Sequence, residues 1–135
     1  YNTMTVSWGA VGELWGMDMA TVYIRPQRYT EQFLDSNDYF TVSFYPEELK
    51  QQIHSVCGSK SGRDINKAQE AKITPVFDEA APYFEEAKLV LVCKKTAKGK
   101  FAPDQFIDKE KIEKWYDGDY HNIYYGAIEK VLIKK

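Results

Sequence analysis

The chain has 135 residues, a length typical of one domain that buries a core without a disulfide or a structural metal. Its formal net charge of -2 argues against nucleic acid or an anionic membrane as the main partner, and no apolar run approaches the roughly 20 residues of a membrane span. No signal peptide is recognisable, so we expect a cytoplasmic protein in which Cys57 and Cys93 are reduced, buried thiols.

The N-terminal part of the sequence predicts two strands and a short helix. Residues 3–8 alternate between polar and apolar side chains, which predicts a strand, and residues 21–25 predict a second strand that ends at Pro26. Thr30 is the expected cap of a short helix over residues 30–34.

The middle of the sequence predicts one strand followed by two helices. Residues 39–45 are rich in β-branched and aromatic side chains and predict a third strand, after which Pro46 is the expected first helical residue. The helix would end at Gly58 and bury an apolar stripe on one face, formed by Leu49, Ile53, Val56 and Cys57. Asp64 is the expected cap of a second helix over residues 64–71.

The C-terminal part predicts two further strands around a short helix. Residues 89–93 are nearly all apolar and predict a buried strand, and residues 112–115 predict a short helix capped by Asp108. Residues 121–133 predict a long last strand, with Gly126 as a bulge or a point of close approach. Five strands and about three short helices indicate a mainly β fold, a barrel or closed sheet, and argue against a doubly wound nucleotide-binding fold.

The first segment with chemical potential is residues 2–9, N-T-M-T-V-S-W-G. Its hydroxyl residues Thr3, Thr5 and Ser7 alternate, so a strand would place all three on one face. A row of hydroxyls offers donors and acceptors to a planar polar ligand. From the pattern alone, a solvent-facing strand side explains the row better.

The second segment is residues 24–30, I-R-P-Q-R-Y-T, in which two arginines lead into the expected helix start. An arginine presents a bidentate fork to phosphate, and helix N-terminal amides favour anions, so Arg28 with Thr30 forms a reasonable phosphate site. The alternative, surface arginines paired with nearby carboxylates, explains Arg25 and Arg28 equally well.

The third segment is residues 59–67, a small, polar and basic loop in which Gly62 allows a close backbone approach. Alone it is best explained as a solvated loop, because it lacks the ending of a nucleotide-binding phosphate loop.

Three weaker signals have simpler explanations. His54 and Cys57 lie three apart on one helix, but no third ligand accompanies them, so we predict no metal site. Cys57 lies on the apolar helix face, where a thiol stays protonated and is a poor nucleophile. Tyr124 and Tyr125 place one ring on each face of their strand, and core packing is the better explanation.

Taken together and in order, these segments resemble the flavin reductase-like family of FMN-binding split-barrel proteins, in its flavoredoxin-like branch. Residues 2–9 resemble its N-x-M-T-x-S-W-G stretch, and residues 24–30 resemble its I-R-P-x-R-Y-T stretch. Residues 61–64, with Lys67, look like its S-G-R-D-x-x-K loop, and residues 121–126 resemble its H-x-x-Y-x-G entry to the last strand.

The resemblance implies one FMN-binding domain over residues 1–135, with a Greek-key split β-barrel and short inserted helices. It also implies a homodimer that holds FMN near the subunit interface. The sequence departs from the family at two places: it lacks a further strand before residue 2, and Ala127 stands where the family often has an acidic residue.

The resemblance and the residue chemistry together predict a set of cofactor-binding residues. They are Asn2, Thr3, Met4, Thr5, Ser7, Trp8, Tyr23, Arg25, Arg28, Tyr29, Thr30, Ser61, Gly62, Arg63, Lys67 and His121. Thr5 and Ser7 would meet the polar edge of the isoalloxazine, and Trp8 and Tyr23 would lie in or beside its shell. Arg28 with Thr30 would bind the phosphate, and the third segment supplies the alternative phosphate site. No catalytic residue is assigned.

The implied function is that of an oxidoreductase in which NAD(P)H delivers hydride to a flavin. One alternative is a flavoredoxin-like electron carrier that keeps FMN bound and exchanges electrons with a redox protein partner. The other is a flavin-binding module with no redox role. The sequence has no dinucleotide fingerprint of the G-x-G-x-x-G type, although nicotinamide that stacks directly on the flavin would not need one.

Overall fold

The computed structural model describes all 135 residues. Its elements, in chain order, are β1 (Gly9–Leu14), β2 (Met17–Ile24), α1 (Tyr29–Ser36), β3 (Tyr39–Phe44), α2 (Glu47–Cys57), α3 (Lys67–Ala71), β4 (Pro75–Val76), β5 (Tyr83–Phe84), β6 (Leu89–Lys100), α4 (Lys109–Ile112) and β7 (Asn122–Ile133). Two 3-10 turns, Pro103–Gln105 and Glu113–Trp115, flank α4. No helix is long and apolar enough to cross a membrane.

Five strands form one antiparallel sheet in the order β1-β2-β7-β6-β3, and β4 pairs with β5 in a second, small sheet. Strands β3, β6 and β7 are neighbours in the sheet, and β7 also pairs with β2, the strand that precedes β3, which is the Greek-key arrangement. The predicted mainly β fold is therefore confirmed. The sheet curls so that its two edge strands, β1 and β3, line the same cleft.

The core has two parts, which lie on the two faces of the sheet. Val90 and Val92 of β6 pack with α2, α3 and Phe84 on one face. Leu91 and Cys93 pack with β2, α1 and Tyr124 on the other. Successive side chains of a strand point to opposite faces, so an apolar run that is buried on both sides explains why residues 89–93 show no alternation.

Gly126 is a point of close approach, as the sequence predicted. A Cβ at this position would lie 2.5 Å from the Phe40 ring and 2.8 Å from the Cys93 Cβ. The pairing of β6 with β7 also shifts register beside Gly126, between Lys95 and Ala97. The glycine thus lets Phe40 pack directly against the backbone of β7.

The predicted strand over residues 3–8 is wrong. These residues form no strand, and they make a single backbone–backbone hydrogen bond, from Thr5 N to Cys57 O over 3.3 Å. Gly9 begins β1 instead of ending a strand, and its partner is Val22 of β2. Alternation alone cannot show whether a neighbouring strand is available to pair, and here none is.

The sequence missed the hairpin that joins β1 to β2. Its two-residue turn is Trp15–Gly16, and both residues have positive φ, 56° and 71°, as a type I′ turn requires. All six residues of β1 are exposed, so the strand carries no pattern of buried side chains. The sequence signal for this turn is Gly16, because glycine adopts a positive φ without steric cost.

Two predicted caps are also wrong. Backbone geometry makes Arg28 the residue before α1, and the Thr30 hydroxyl accepts a hydrogen bond from Asn2 instead of capping the helix. Asn66, not Asp64, caps α3 by accepting a hydrogen bond from Gln69 N. No side chain caps α1, whereas at α3 two polar residues compete for the cap and the sequence pattern does not rank them.

Candidate functional site

The extended segment of residues 2–7 is held in place by side chains from the helices instead of by a sheet. Asn2 donates a hydrogen bond from Nδ2 to Thr30 Oγ1 over 2.8 Å, which joins the segment to α1. Lys67 of α3 donates from Nζ to the Thr3 carbonyl oxygen over 2.7 Å. The N-terminal half of the segment is therefore positioned by two elements that are far away in sequence.

The middle of the segment is joined to α2. The Thr5 hydroxyl lies 2.9 Å from His54 Nδ1, and the Thr5 backbone nitrogen donates to the Cys57 carbonyl oxygen. A Cβ on Gly58 would lie 3.2 Å from Thr5 Oγ1, so the end of the helix packs tightly against the segment. His54 thus has a structural partner, and Cys57 is a buried free thiol whose pKa is raised by burial.

Gly62 lets the loop after α2 approach the segment closely. A Cβ at this position would collide with the Asn2 side-chain oxygen and would lie 3.2 Å from the Tyr29 ring. The close approach expected of Gly62 is therefore made to the Asn2 side chain. Any larger residue would displace the amide that is hydrogen-bonded to Thr30.

These elements enclose a pocket of about 300 Å³, which we call the basic pocket. Its walls are Asn2, Met4, Thr5, Ser7, Gln27, Arg28, Tyr29, Thr30, Cys57, Gly58, Ser59, Lys60, Ser61, Arg63 and Lys67. Four of these residues carry a positive charge and none is acidic. In a chain with a net charge of -2, such a concentration of cations creates a local site for an anion.

Lys67 is the most buried of the four cations, with 7% of its surface exposed. Burial lowers the pKa of its ammonium group, because the charged form loses hydration. The ammonium group has three donors, and the Thr3 carbonyl takes one of them. A buried ammonium group with free donors in a pocket without acidic residues is suited to bind an anionic oxygen.

The two arginines of the pocket differ in their surroundings. Arg28 makes no side-chain hydrogen bond and no ion pair in the structure, so its guanidinium is available. Arg63 lies over the Tyr29 ring, 4.7 Å from the ring centroid, and reaches the Gln27 carbonyl oxygen at 3.5 Å. The ring fixes the direction of the Arg63 side chain at the mouth of the pocket.

A larger cleft of about 1020 Å³ lies on the other side of the segment and is mostly apolar. Asn2, Met4, Thr5 and Ser7 line both cavities, so the segment forms the wall between them. Because residues 3–8 are not a strand, the predicted hydroxyl row on one strand face does not exist. Thr3, Thr5 and Ser7 nevertheless all line the cleft, and the last two also line the basic pocket.

The other predicted site residues lie outside the basic pocket, at the end of the segment. Trp8 contacts the His121 ring, with centroids 4.7 Å apart, and meets Trp115 edge-on at 5.4 Å. The Tyr116 hydroxyl lies 2.7 Å from His121 Nδ1. We call these four residues, Trp8, Trp115, Tyr116 and His121, the aromatic cluster.

Arg25 belongs with the aromatic cluster and not with the basic pocket. It forms an ion pair with Asp119 over 2.6 Å, which is the alternative that the sequence left open for the arginines. Tyr23 stacks on Phe101 with centroids 5.7 Å apart and planes 5° apart. The structure thus separates the predicted residues into two groups, one basic and one aromatic.

The cluster contains two titratable groups, and burial favours the neutral form of each. His121 is 6% exposed, and burial, followed by the nearby Arg25 charge, lowers the pKa of its imidazole. The pKa of the Tyr116 hydroxyl is raised by burial, so this hydroxyl also remains protonated. The imidazole beside Trp8 therefore adds no charge to the ring contact between the two side chains.

Sequence reasoning missed several residues of the site. Ser59 and Lys60 line the basic pocket, although their loop had a simple explanation as solvated. His54 was considered only as a partner of Cys57, in a metal site or a Cys-His nucleophile, and not as a contact of Thr5. No group of three or more His, Cys, Asp or Glu side chains in the 135 residues is arranged to hold a metal ion. Residues 116–120 carried no recognisable motif, and Trp115 was expected only as part of a short helix; their contacts with Trp8, Arg25 and His121 bring them to the site.

Comparison with known proteins assigns this chain to a family. The family described as "Flavin reductase like domain" matches residues 1–135. Among solved structures, flavoredoxin from Methanosarcina acetivorans is 19% identical, with a TM-score of 0.77 over 99% of this chain and 62% of that chain. An FMN-binding protein from Thermus thermophilus, solved with p-hydroxybenzaldehyde, is 23% identical, with a TM-score of 0.76 over 99% and 65%.

A third similar structure is a flavin reductase-type protein with a split barrel domain from Shewanella frigidimarina. It is 18% identical, with a TM-score of 0.76 over 99% of this chain and 60% of that chain. At these identities the likeness shows the shared fold. The chain spans somewhat less than two thirds of the length of these proteins. No curated protein matches it.

Proposed function

Because this chain belongs to the flavin reductase-like domain family, we propose that it binds FMN and works as an NAD(P)H:flavin oxidoreductase. The basic pocket carries the proposal: it joins four cations and no acidic residue to a segment rich in hydroxyl and amide groups. FMN combines one doubly charged phosphate with a flat polar ring, so it needs both kinds of surface.

The residues fit the phosphate of FMN. Lys67 keeps two ammonium donors after its hydrogen bond to the Thr3 carbonyl, and Arg28 presents a guanidinium without another partner. Both the Thr30 and the Ser61 hydroxyls lie in the same pocket. A phosphate bound here would replace the water that otherwise hydrates these donors, and each charge-assisted hydrogen bond is worth about 1.5–3 kcal/mol.

The same residues fit the polar edge of the ring. Thr5 and Ser7 line the basic pocket and continue the segment toward Trp8, so the ring would extend from the pocket along residues 5–8. When bound, FMN supplies an acceptor for the hydride of a reduced nicotinamide. The chain itself supplies hydrogen bonds at the ring edge, a phosphate anchor and a neutral aromatic wall that excludes water on one side.

The aromatic cluster supports a second flat ligand, the nicotinamide. Trp8 is 36% exposed and Trp115 is 55% exposed, so each offers part of a ring face to solvent next to the ring-binding end of the segment. Nicotinamide that stacks in this place would need no dinucleotide-binding motif of its own. The flavoredoxin-like carrier is retained as the second candidate, because flavoredoxins are among the similar structures.

The deciding experiment has two stages. FMN is first titrated into the protein while flavin fluorescence is followed, and the complex is then mixed anaerobically with NADH or NADPH while flavin absorbance is followed. Bleaching by either nucleotide supports the oxidoreductase. Binding without bleaching by either, in a protein whose flavin dithionite still reduces, supports the carrier. A protein that does not bind FMN would refute both.

We also propose that the protein is a homodimer. The β1–β2 hairpin exposes several large apolar side chains: Val11 (63%), Leu14 (37%), Trp15 (58%) and Met17 (37%). A patch of this kind is typical of an interface, and a second subunit would also cover a flavin edge that one subunit leaves open. Sedimentation at micromolar concentration, with and without FMN, checks this, and a monomer under both conditions would contradict it.

A further inference from the structure

The hydrogen bonds and the ring contact of the Arg25 guanidinium are all with one short stretch of chain, residues 115–119. It forms the ion pair with Asp119, donates to the Trp115 carbonyl oxygen over 2.9 Å and lies over the Tyr116 ring at 5.2 Å. Gln27 adds a further hydrogen bond to Asp119 over 2.9 Å. Arg25 is not among the walls of the basic pocket.

Asp119 is also held by a hydrogen bond within its own turn. Its second carboxylate oxygen accepts a hydrogen bond from Asp117 N over 2.9 Å. Gly118, between the two aspartates, has a positive φ of 76°, which closes the turn. These bonds to Asp117, Gln27 and Arg25 lower the pKa of the Asp119 carboxyl well below its usual range. The turn therefore presents a charged carboxylate to the end of β2 at every ordinary pH.

The stretch that Arg25 holds is the one that packs on Trp8. Trp115, the first residue of the stretch, and His121, two residues beyond its end, supply the two ring contacts of Trp8, and Tyr116 contacts His121 through its hydroxyl group. Trp8 directly follows Ser7, the last residue of the segment that lines the basic pocket. The C-terminal end of that segment thus has an anchor that depends on the Arg25–Asp119 pair.

We infer that Arg25 is a positioning residue: by holding residues 115–119 it fixes Trp8, and through Trp8 the ring-binding end of residues 2–8, without contacting the ligand. This inference rests on the proposed flavin site. It distinguishes two arginines that the sequence places three apart. Arg25 sets the ring end of the site, and Arg28 contributes to the phosphate end.

The test compares Arg25→Gln with the matched control Arg28→Gln, and each is titrated with FMN and riboflavin. Arg25→Gln is expected to weaken both flavins about equally, by about tenfold, the size of a coupling near 1.4 kcal/mol. Arg28→Gln is expected to weaken FMN and leave riboflavin nearly unchanged. If Arg25→Gln weakened FMN alone, Arg25 would be a direct phosphate ligand and the inference would be wrong.

A second measurement needs no flavin. In a Trp15→Phe background, the tryptophan fluorescence, excited apart from that of the tyrosines, comes from Trp8 and Trp115 alone, and acrylamide quenching reports the exposure of both. Arg25→Gln is expected to increase quenching, Asp119→Asn is expected to do the same, and the double variant should add nothing further. Unchanged quenching in both single variants would overturn the inference. If the parent protein bound no flavin, the proposed function would fail, while this measurement would still test the anchor.

Discussion

Lys67→Met is the substitution that most directly tests the basic pocket. Methionine keeps nearly the length of the lysine stem and removes the ammonium group of a residue that is only 7% exposed. The Thr3 carbonyl loses its partner, at a cost of about 1–3 kcal/mol if it stays unsatisfied. Removing a buried charge offsets part of that cost, so we expect the folded protein to survive.

The expected effect on binding follows from the donors that Lys67 has left. A hydrogen bond between its ammonium and a phosphate oxygen is worth about 1.5–3 kcal/mol, and a tenfold change in affinity corresponds to about 1.4 kcal/mol. Lys67→Met should therefore weaken FMN binding by about tenfold to a hundredfold. Riboflavin lacks the phosphate, so its affinity should change by less than about threefold on the same scale.

Both affinities are measured by fluorescence titration, and thermal unfolding is recorded for each variant. The control is Lys60→Met, which removes an exposed cation from the same pocket and should change FMN affinity only a few fold, because solvent screens an exposed charge. Equal losses of FMN and riboflavin in Lys67→Met would mean that Lys67 supports the segment through Thr3 and does not bind phosphate. No loss of either would refute the assignment of the phosphate to this pocket.

The remaining predictions concern core packing at Gly126, the close contact between Gly62 and Asn2, and the pH dependence of stability. Gly126→Ala should reduce the free energy of unfolding by about 1–3 kcal/mol through overpacking, whereas Gly12→Ala, whose Cβ meets nothing within 4 Å, should be neutral in urea unfolding. Gly62→Ala should displace the Asn2 amide and weaken FMN binding with little change in melting temperature; a wild-type affinity would contradict the close-approach argument. His121 has a folded pKa below its usual 6.5, so the unfolded chain takes up the proton first. Its contribution to stability is full above about pH 6.5 and is lost as the pH falls through the folded pKa. His121→Gln should therefore flatten the fall of the unfolding free energy with pH in this range. An unchanged dependence on pH would mean that other groups cause it.

The sequence determined most of the elements, because their patterns reflect local geometry. The apolar stripe of α2 and the helix end at Gly58 follow from helical periodicity, and β3 and β7 follow from their β-branched and aromatic residues. Close approach at Gly126 was also predictable, since a glycine inside a strand has few other roles. The combination of motifs further identified the family, which the match over the whole chain confirms.

Only the tertiary structure decided how the site residues divide. Arg25 and Arg28 have the same chemistry and lie three residues apart, yet one is paired with Asp119 and the other faces the basic pocket. Residues 3–8 alternate as a strand would, but no strand lies beside them, and side chains such as Lys67 and His54 hold them instead. Each outcome depends on partners 49 to 94 positions away in the chain, and local sequence patterns carry no information about partners at that distance.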